Sequence, residues 1–254
     1  MMHKDFETGR FYLGDCLEIM KEIPDNCIDM ILCDLPYGTT QNKWDSVLDL
    51  KILWEQYWRI LKINKAVILT AQSPFDKTLG GSCIEFLKYE WIWEKAKATG
   101  HLNSKRQPLK AHENILVFYR NQCTYNPQKT PGQIYKGSGG KSKKDNYGDF
   151  SAIREGSKDG SRYPRSVQFF THEIRPVHPT QKPVALFEYL VRTYTNENDL
   201  ILDNCAGSGT TAIAAINTNR KWVCIEKEQE YYDKLIERIG NHKTESEWKT
   251  GIKI

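Results

Sequence analysis

The sequence predicts an α/β fold, a doubly wound and mainly parallel sheet with one inserted segment. Three observations predict it. Short apolar runs alternate with stretches whose apolar residues recur at helical spacing, from residue 11 to residue 239. Two of the runs end in an acidic residue and a tight turn, at Asp34 and Asp203, the place where ligands gather in open α/β sheets. Between them, residues 121–176 lose all periodicity and turn basic.

In chain order, Phe11, Tyr12 and Leu13 form a first strand stopped by Gly14 and Asp15. Asp15 is placed as the N-cap of a helix opening at Cys16, and Pro24 breaks that helix. Residues 28–33 are short and wholly apolar around Asp29, as a buried strand requires, and residues 39–45 read as a polar loop beside its end. Leu53, Tyr57, Ile60 and Leu61 share one helical face. A strand over 66–69, a helix after Pro74 and a strand over 89–93 follow, with Trp91 and Trp93 on one face as core. Residues 95–112 are basic, contain glycine and show little periodicity, so a mobile loop is expected there, before a clear strand at 115–119. Phe187, Leu190, Val191 and Tyr194 mark a helix; strands at 200–202 and 222–225 and helices at 212–216 and 229–239 close the chain.

With 254 residues the chain can bury a sizeable core, as one domain carrying an inserted module. We divide it at residues 1–120, 121–176 and 177–254, the last being the return of regular structure. The seven cysteines include no C-x-x-C pair, which suits reduced thiols and argues against a zinc site, so no metal is expected. The polar, charged start and the lack of any long apolar run predict no signal peptide, no membrane contact and a cytoplasmic protein. Net charge is +4, yet residues 121–176 hold ten Lys/Arg against five Asp/Glu, so the rest of the chain carries 4 − 5 = −1.

Asp34, Leu35, Pro36 and Tyr37 form the stretch around which the rest is organised. Pro36 fixes its own φ and keeps Leu35 extended, and Gly38 lets the chain turn away. The expected loop presents a carboxylate, backbone carbonyls and one ring face, the groups that grip a planar molecule with an exocyclic amine. A second site is written in Asp203 to Thr211, where a strand passes through Gly207, Ser208 and Gly209 into a helix. Glycines admit a ligand close to the backbone, and the helix start favours an anionic group. Glu226, ending the next strand, is placed to bind ribose hydroxyls. No Lys follows Gly209 and residue 212 is Ala, so neither a P-loop nor a dinucleotide fingerprint is present.

Taken together these stretches resemble the circularly permuted (β-class) DNA amino-methyltransferases, the N6-adenine/N4-cytosine family. The match runs through Gly14-Asp15, the Asp34–Tyr37 loop, and His112-Glu113 leading into the strand to Phe118. The basic segment, His178 to Pro183, and Asp203 to Thr211 follow in the family's order. The resemblance implies a Rossmann-like methyltransferase fold with residues 1–120 as the catalytic half, 121–176 as the target-recognition region, and 177–254 as the S-adenosylmethionine-binding half. It implies a site-specific transfer of methyl from S-adenosylmethionine to N6 of adenine in double-stranded DNA, with N4 of cytosine as the alternative and a catalytically silent DNA-binding protein as another. Asp34, rather than Ser, at the head of the loop favours adenine.

By the same resemblance, Asp34 and the Leu35 carbonyl hold the target amine, Pro36 stiffens the loop, and Tyr37 stacks on the base. Asp15 accepts from the cofactor's adenine amine; Thr180 and Lys182 lie near its carboxylate; Asp203, Gly207 and Gly209 border its methionine part, Glu226 its ribose, and Asp34 its methyl. Cys16, Cys205, Ser208 and Thr210 adjoin these positions and complete the expected cofactor site. Two departures stand out: Leu35 replaces a usual Pro, and Asn204-Cys205 replaces Pro-Phe. Lys141, Lys143 and Lys144 are expected at DNA phosphates, and Arg162 and Arg165 at base edges. A homodimer and a cognate restriction endonuclease are compatible with the resemblance, and no residue signals either. His178 is read as structural, because the histidines show no metal spacing.

Overall fold

The apolar run ending at Asp34 shows why the chain folds as two helical layers around one sheet. Residues 28–33 are buried without exception. From residue 30 on they nevertheless divide by parity: Met30 and Leu32 join one apolar cluster, Ile31 and Cys33 the other. Successive side chains of a strand point to opposite faces, so such a run requires cover on both.

In the computed structural model, residues 2–38, 46–137, 156–173 and 181–242 are described. The elements are β1 (Met2–Asp5), β2 (Gly9–Leu13), α1 (Cys16–Lys21), β3 (Ile28–Asp34), α2 (Leu50–Ile60), β4 (Leu61–Ala71) and α3 (Phe75–Gly81). They continue with β5 (Leu87–Thr99), β6 (Lys110–Phe118), β7 (Val167–Phe170), α4 (Val184–Tyr194), β8 (Leu200–Asp203), α5 (Thr210–Asn217), β9 (Lys221–Glu226) and α6 (Gln229–Gly240). The sheet order is β1-β2-β9-β8-β3-β4-β6-β5-β7. Only β1–β2, β4–β6 and β5–β6 pair antiparallel; the other neighbours are parallel. On one face α4, α5 and α6 contribute Phe187, Leu190, Ala212, Ala215 and Leu235 to the core. On the other, α1, α2 and α3 contribute Ile19, Met20, Leu53, Tyr57 and Leu79. Each fully buried side chain of this size stabilises the fold by about 1.5–3 kcal/mol.

Asp15 caps α1, its carboxylate accepting from the Leu17 N–H at 2.9 Å. Two strands were not apparent in the sequence, the exposed β1 and β7. The expected mobile loop at 95–112 is a correction. There β5 runs on to Thr99, a single 3-10 turn spans His101–Asn103, and β6 begins at Lys110. Cross-strand pairs Glu94↔His112 and Thr99↔Lys110 hold this arm. Beyond the buried Lys95 its residues are exposed or, at Ala98, half-buried, so they carry no apolar alternation to read.

The chain divides into two compact units, Met1–Asn126 with Ser166–Ile254, and Pro127–Arg165. The smaller lies inside the 121–176 segment marked off by charge, while Val167–Phe170 belongs to the sheet. Within the smaller unit, Thr130 and Arg162 exchange backbone hydrogen bonds of 3.0 and 2.9 Å, and Tyr135 bridges Ser157. Gly160, at φ +76°, passes so close to the Gly132 carbonyl that a β-carbon could not fit. Lys129 lies over the Tyr163 ring. Among the described residues, no helix is long and apolar enough to cross a membrane.

Candidate active site

β3 and β8 lie side by side and parallel, with Met30 opposite Ile201 and Ile31 opposite Leu202. The chain leaves β3 toward α2 on one face and leaves β8 toward α5 on the other. Their carboxyl ends therefore open into a crevice, the topological switch point where such sheets bind ligands. A cavity of about 350 Å³ occupies it, within the usual range for small-molecule sites.

Asp34 stands at the floor of this cavity. Its Oδ1 accepts from the Tyr37 hydroxyl at 2.6 Å and from the Thr70 hydroxyl. Its Oδ2 meets the Lys182 ammonium at 2.5 Å. About four acceptor positions exist on a carboxylate, so roughly one remains open. Leu35, standing at the position of the usual Pro, is buried in the core cluster that holds the α1 and α2 residues. The Tyr37 ring stacks on Phe75, with centroids 5.5 Å apart.

Behind Asp34 runs a chain of buried charges of alternating sign. Lys182 also faces Glu113 Oε2 at 3.3 Å, and Glu113 Oε1 meets Lys95 at 2.5 Å and accepts from Gln72 at 2.9 Å. The side chains of Lys182, Glu113 and Lys95 are 6%, 5% and 4% exposed. Burial pushes the Glu113 carboxyl up, but Lys182 and Lys95 outweigh it and hold the group below the ordinary carboxylate value. Burial likewise disfavours charge on Lys182, and Asp34 and Glu113 more than compensate, raising its pKa. Lys182, expected near a cofactor carboxylate, is thus placed on Asp34. Glu113 and Lys95 were not singled out for the site. A carboxylate two residues ahead of the apolar run at 115–118 was the signal in the sequence for Glu113.

The neighbouring strand end differs. Asp203 is buried, accepts from the Thr211 hydroxyl at 2.5 Å and from the Cys205 N–H at 3.1 Å, and among the described residues forms no ion pair. Burial raises its pKa to about 6, against hydrogen bonds from Thr211, the Cys205 N–H and the Cys33 thiol, with Asp34 adding to the rise. Gly209, at φ +74°, turns the chain into α5 where a β-carbon would strike Leu235. Glu226 closes the far wall. Its Oε2 accepts from Gly207 N–H at 2.8 Å, and its Oε1 from Lys227 and Glu228 N–H at 2.9 Å each. Burial pushes its pKa up, those N–H bonds opposing. Asn204 is held by the Tyr57 hydroxyl at 2.5 Å.

One cavity therefore gathers most of the predicted residues. Asp34, Leu35, Pro36, Tyr37 and Lys182 line it on the β3 side. Asp15, Cys16, Asp203, Cys205, Gly207, Ser208, Thr210 and Glu226 line the rest. Thr180, His178, Lys141, Lys143 and Lys144, and the loop at 39–45, lie outside the described residues. The Arg162 guanidinium donates to the Gly160 carbonyl at 2.9 Å, the Ser161 carbonyl at 3.1 Å and the Gln133 carbonyl, and lies over Tyr135. It holds its own unit together; Arg165 is exposed. Among the described residues, no group of His, Cys, Asp and Glu could hold a metal ion.

The profile of the N6/N4 DNA methylase family matches residues 28–238. The chain is 28% identical to the type II methyltransferase M.BglII of Bacillus subtilis, over 89% of this chain and 67% of that one. It is 25% identical to the DNA adenine methyltransferase YhdJ of Escherichia coli, over 89% of this chain and 81% of the relative. Among solved structures it resembles a complex of M1.HpyAVI with SAM, at a TM-score of 0.63 and 23% identity, over 91% and 99% of the two chains. The cytosine-N4-specific PvuII DNA methyltransferase gives a TM-score of 0.67 at 17% identity, over 96% and 91%.

Proposed function

Because the chain belongs to the N6/N4 family of DNA methylases, we propose that it moves a methyl group from S-adenosylmethionine to N6 of adenine at a specific site in double-stranded DNA. The observation that carries this reading is Asp34, oriented by three donors yet with an acceptor position open toward the cavity.

The residues present fit the cofactor. The cavity has the volume for it, and Glu226, with three N–H bonds already made, keeps about one acceptor position for a ribose hydroxyl. Asp203 would border the methionine part and Asp15 the adenine ring. When bound, the cofactor supplies an electrophilic methyl group.

Everything else falls to the protein and the base. An exocyclic amine is a poor nucleophile because its lone pair is delocalised into the ring. Asp34 and the Leu35 carbonyl, accepting its two N–H bonds from different directions, localise that lone pair; the nitrogen then gains its bond to the methyl carbon as the carbon–sulfur bond breaks with its pair going to sulfur, and the nitrogen's extra proton leaves to solvent. Positioning of this kind supplies much of the acceleration. A base within the duplex cannot reach the cavity floor, so it must flip out at a cost of a few kcal/mol. Tyr37, its hydroxyl tied to Asp34 and its ring backed by Phe75, presents a fixed surface for stacking worth roughly 1–3 kcal/mol. DNA contacts would come from the basic segment, with Lys141, Lys143 and Lys144 at phosphates and Arg165 at base edges.

Adenine is favoured by Asp34 at the head of the loop and by the adenine-specific relative. Transfer to N4 of cytosine is the second reading, favoured by the likeness to the PvuII structure. The test is to incubate unmethylated genomic DNA with the protein and S-adenosylmethionine, digest it to nucleosides and separate N6-methyladenine from N4-methylcytosine by mass spectrometry. Modification-sensitive sequencing of the same DNA gives the site. N6-methyladenine is expected; N4-methylcytosine would transfer the function to the second reading, and unmodified DNA would overturn both.

A further inference from the structure

Resting on that reading, we propose that the arm at residues 96–112, built from the ends of β5 and β6, contacts DNA beside the extruded base, with Leu102 entering the gap the base leaves. Between Glu94 and Glu113 the chain holds five Lys/Arg, two His and no acidic residue. Of the five, Lys95 is buried in the charge chain behind Asp34, whereas Lys97, Lys105, Arg106 and Lys110 are exposed.

The arm stands at the mouth of the cavity. β5 is antiparallel to β6, which is antiparallel to β4, so β5 points the same way as β3 and β8. Its carboxyl end therefore leaves the sheet where the cavity opens, and Lys95 and Thr99 line that cavity. Beyond Thr99 the chain turns at Gly100, φ +89°, where a β-carbon would find no atom within 4 Å. Leu102 follows in the 3-10 turn, fully exposed. A single exposed Leu is ordinary on a protein surface. This one tops an acid-free prong at the mouth of a site that requires a base to leave its duplex.

Extruding a base opens a gap in the stack, and proteins that deform DNA fill such gaps with Leu, Ile, Met, Phe or Pro. Exposed cations on either side of the tip would hold the flanking phosphates. Leu102 would act before the chemistry, by keeping the base from returning to the stack.

The experiment compares Leu102→Ala and a Lys105→Ala/Arg106→Ala double variant with the parent. Both sets of changes are on exposed side chains, so folding is not at stake. Single-turnover methyl transfer is measured on two duplexes containing the site found by sequencing, one fully paired and one with a mismatch at the target base. Leu102→Ala is expected to lose tenfold or more on the paired duplex and less than threefold on the mismatched one, where the base is already loose. The double variant should weaken binding to both duplexes alike and flatten the slope of log affinity against log salt by about 0.9 per lost phosphate contact. Equal rates for parent and Leu102→Ala, or equal losses on both duplexes, would overturn the wedge. A parent that transfers no methyl group to any DNA would overturn the proposed function instead, and the wedge with it.

Discussion

Asp34 and Asp203 occupy equivalent places, each ending a central strand, on neighbours in one sheet. Their surroundings are opposite. Asp34 is met by an ammonium and two hydroxyls, and behind its lysine runs a second carboxylate and a second lysine. Asp203 sits in a wall of thiols, small residues and backbone, with one hydroxyl and one N–H. The difference teaches that position alone does not set a strand-end carboxylate's work; its neighbours do. On the proposed function, Asp34 would accept from an amine in a fixed direction, and Asp203 would respond to a cationic ligand.

Replacing Asp34 with Ala attacks one side of this contrast directly. Methyl transfer should fall about 10³-fold, equivalent to about 4 kcal/mol, with cofactor affinity nearly unchanged. Radiolabelled methyl incorporation and calorimetry read the two quantities; more than a tenth of parental turnover would remove Asp34 from catalysis. Glu113→Gln tests the charge chain behind it. Lys95 and Lys182 would then be buried with only Asp34 as counter-charge, and leaving a buried charge uncompensated costs about 3 kcal/mol or more. Chemical denaturation should show that loss, and an unchanged midpoint would mean the chain of charges is not coupled.

The cofactor side yields smaller effects. Glu226→Ala should weaken S-adenosylmethionine by about 1.5–3 kcal/mol, the scale of one charge-assisted hydrogen bond. Unaltered affinity by calorimetry would put the ribose elsewhere. For Asp203 the expectation is a pH dependence. With its pKa raised to about 6, the carboxyl gains a proton as pH falls below that value, and attraction for a cationic cofactor is lost. Affinity should therefore decline from pH 7 to pH 5, by at most about 1.4 kcal/mol per unit, and Asp203→Asn should flatten the profile. For folding the sign is opposite: the folded state holds this proton more tightly than the unfolded one, so the group's contribution to stability falls as pH rises from about 4 to 6. A flat profile in the parent protein would erase the contrast between the two aspartates.

The elements around Asp34 and Asp203 were legible because each strand there is buried on both faces and punctuated by Pro or Gly. Cys16 to Lys21 was legible from its cap. β1 and β7 were not, since four exposed or half-exposed residues at a sheet edge carry no periodic signal. The arm at 95–112 was misread for the same reason, its pairing being made by backbone rather than side chains. Of the residues lining the cavity, those near a turn in sequence were singled out, whereas Glu113, which pairs with Lys182 across the fold, and Lys95, which pairs with Glu113, were not. Such a network is a tertiary fact: its members lie on β5, β6 and the approach to α4, and no spacing in the sequence unites them.

The pairing of β3 with β8 has a consequence during synthesis. Met30 emerges about 170 residues before its neighbour Ile201, roughly 10–30 s earlier at ordinary elongation rates. For that interval β3, whose residues 28–33 are all buried in the finished fold, has β4 on one side and no partner on the other. The nascent chain thus carries a sticky, unpaired backbone edge on the ribosome, and its closing contact must bridge a long loop of sequence. Yield in cells will depend on what shields that edge until the last third of the polypeptide arrives.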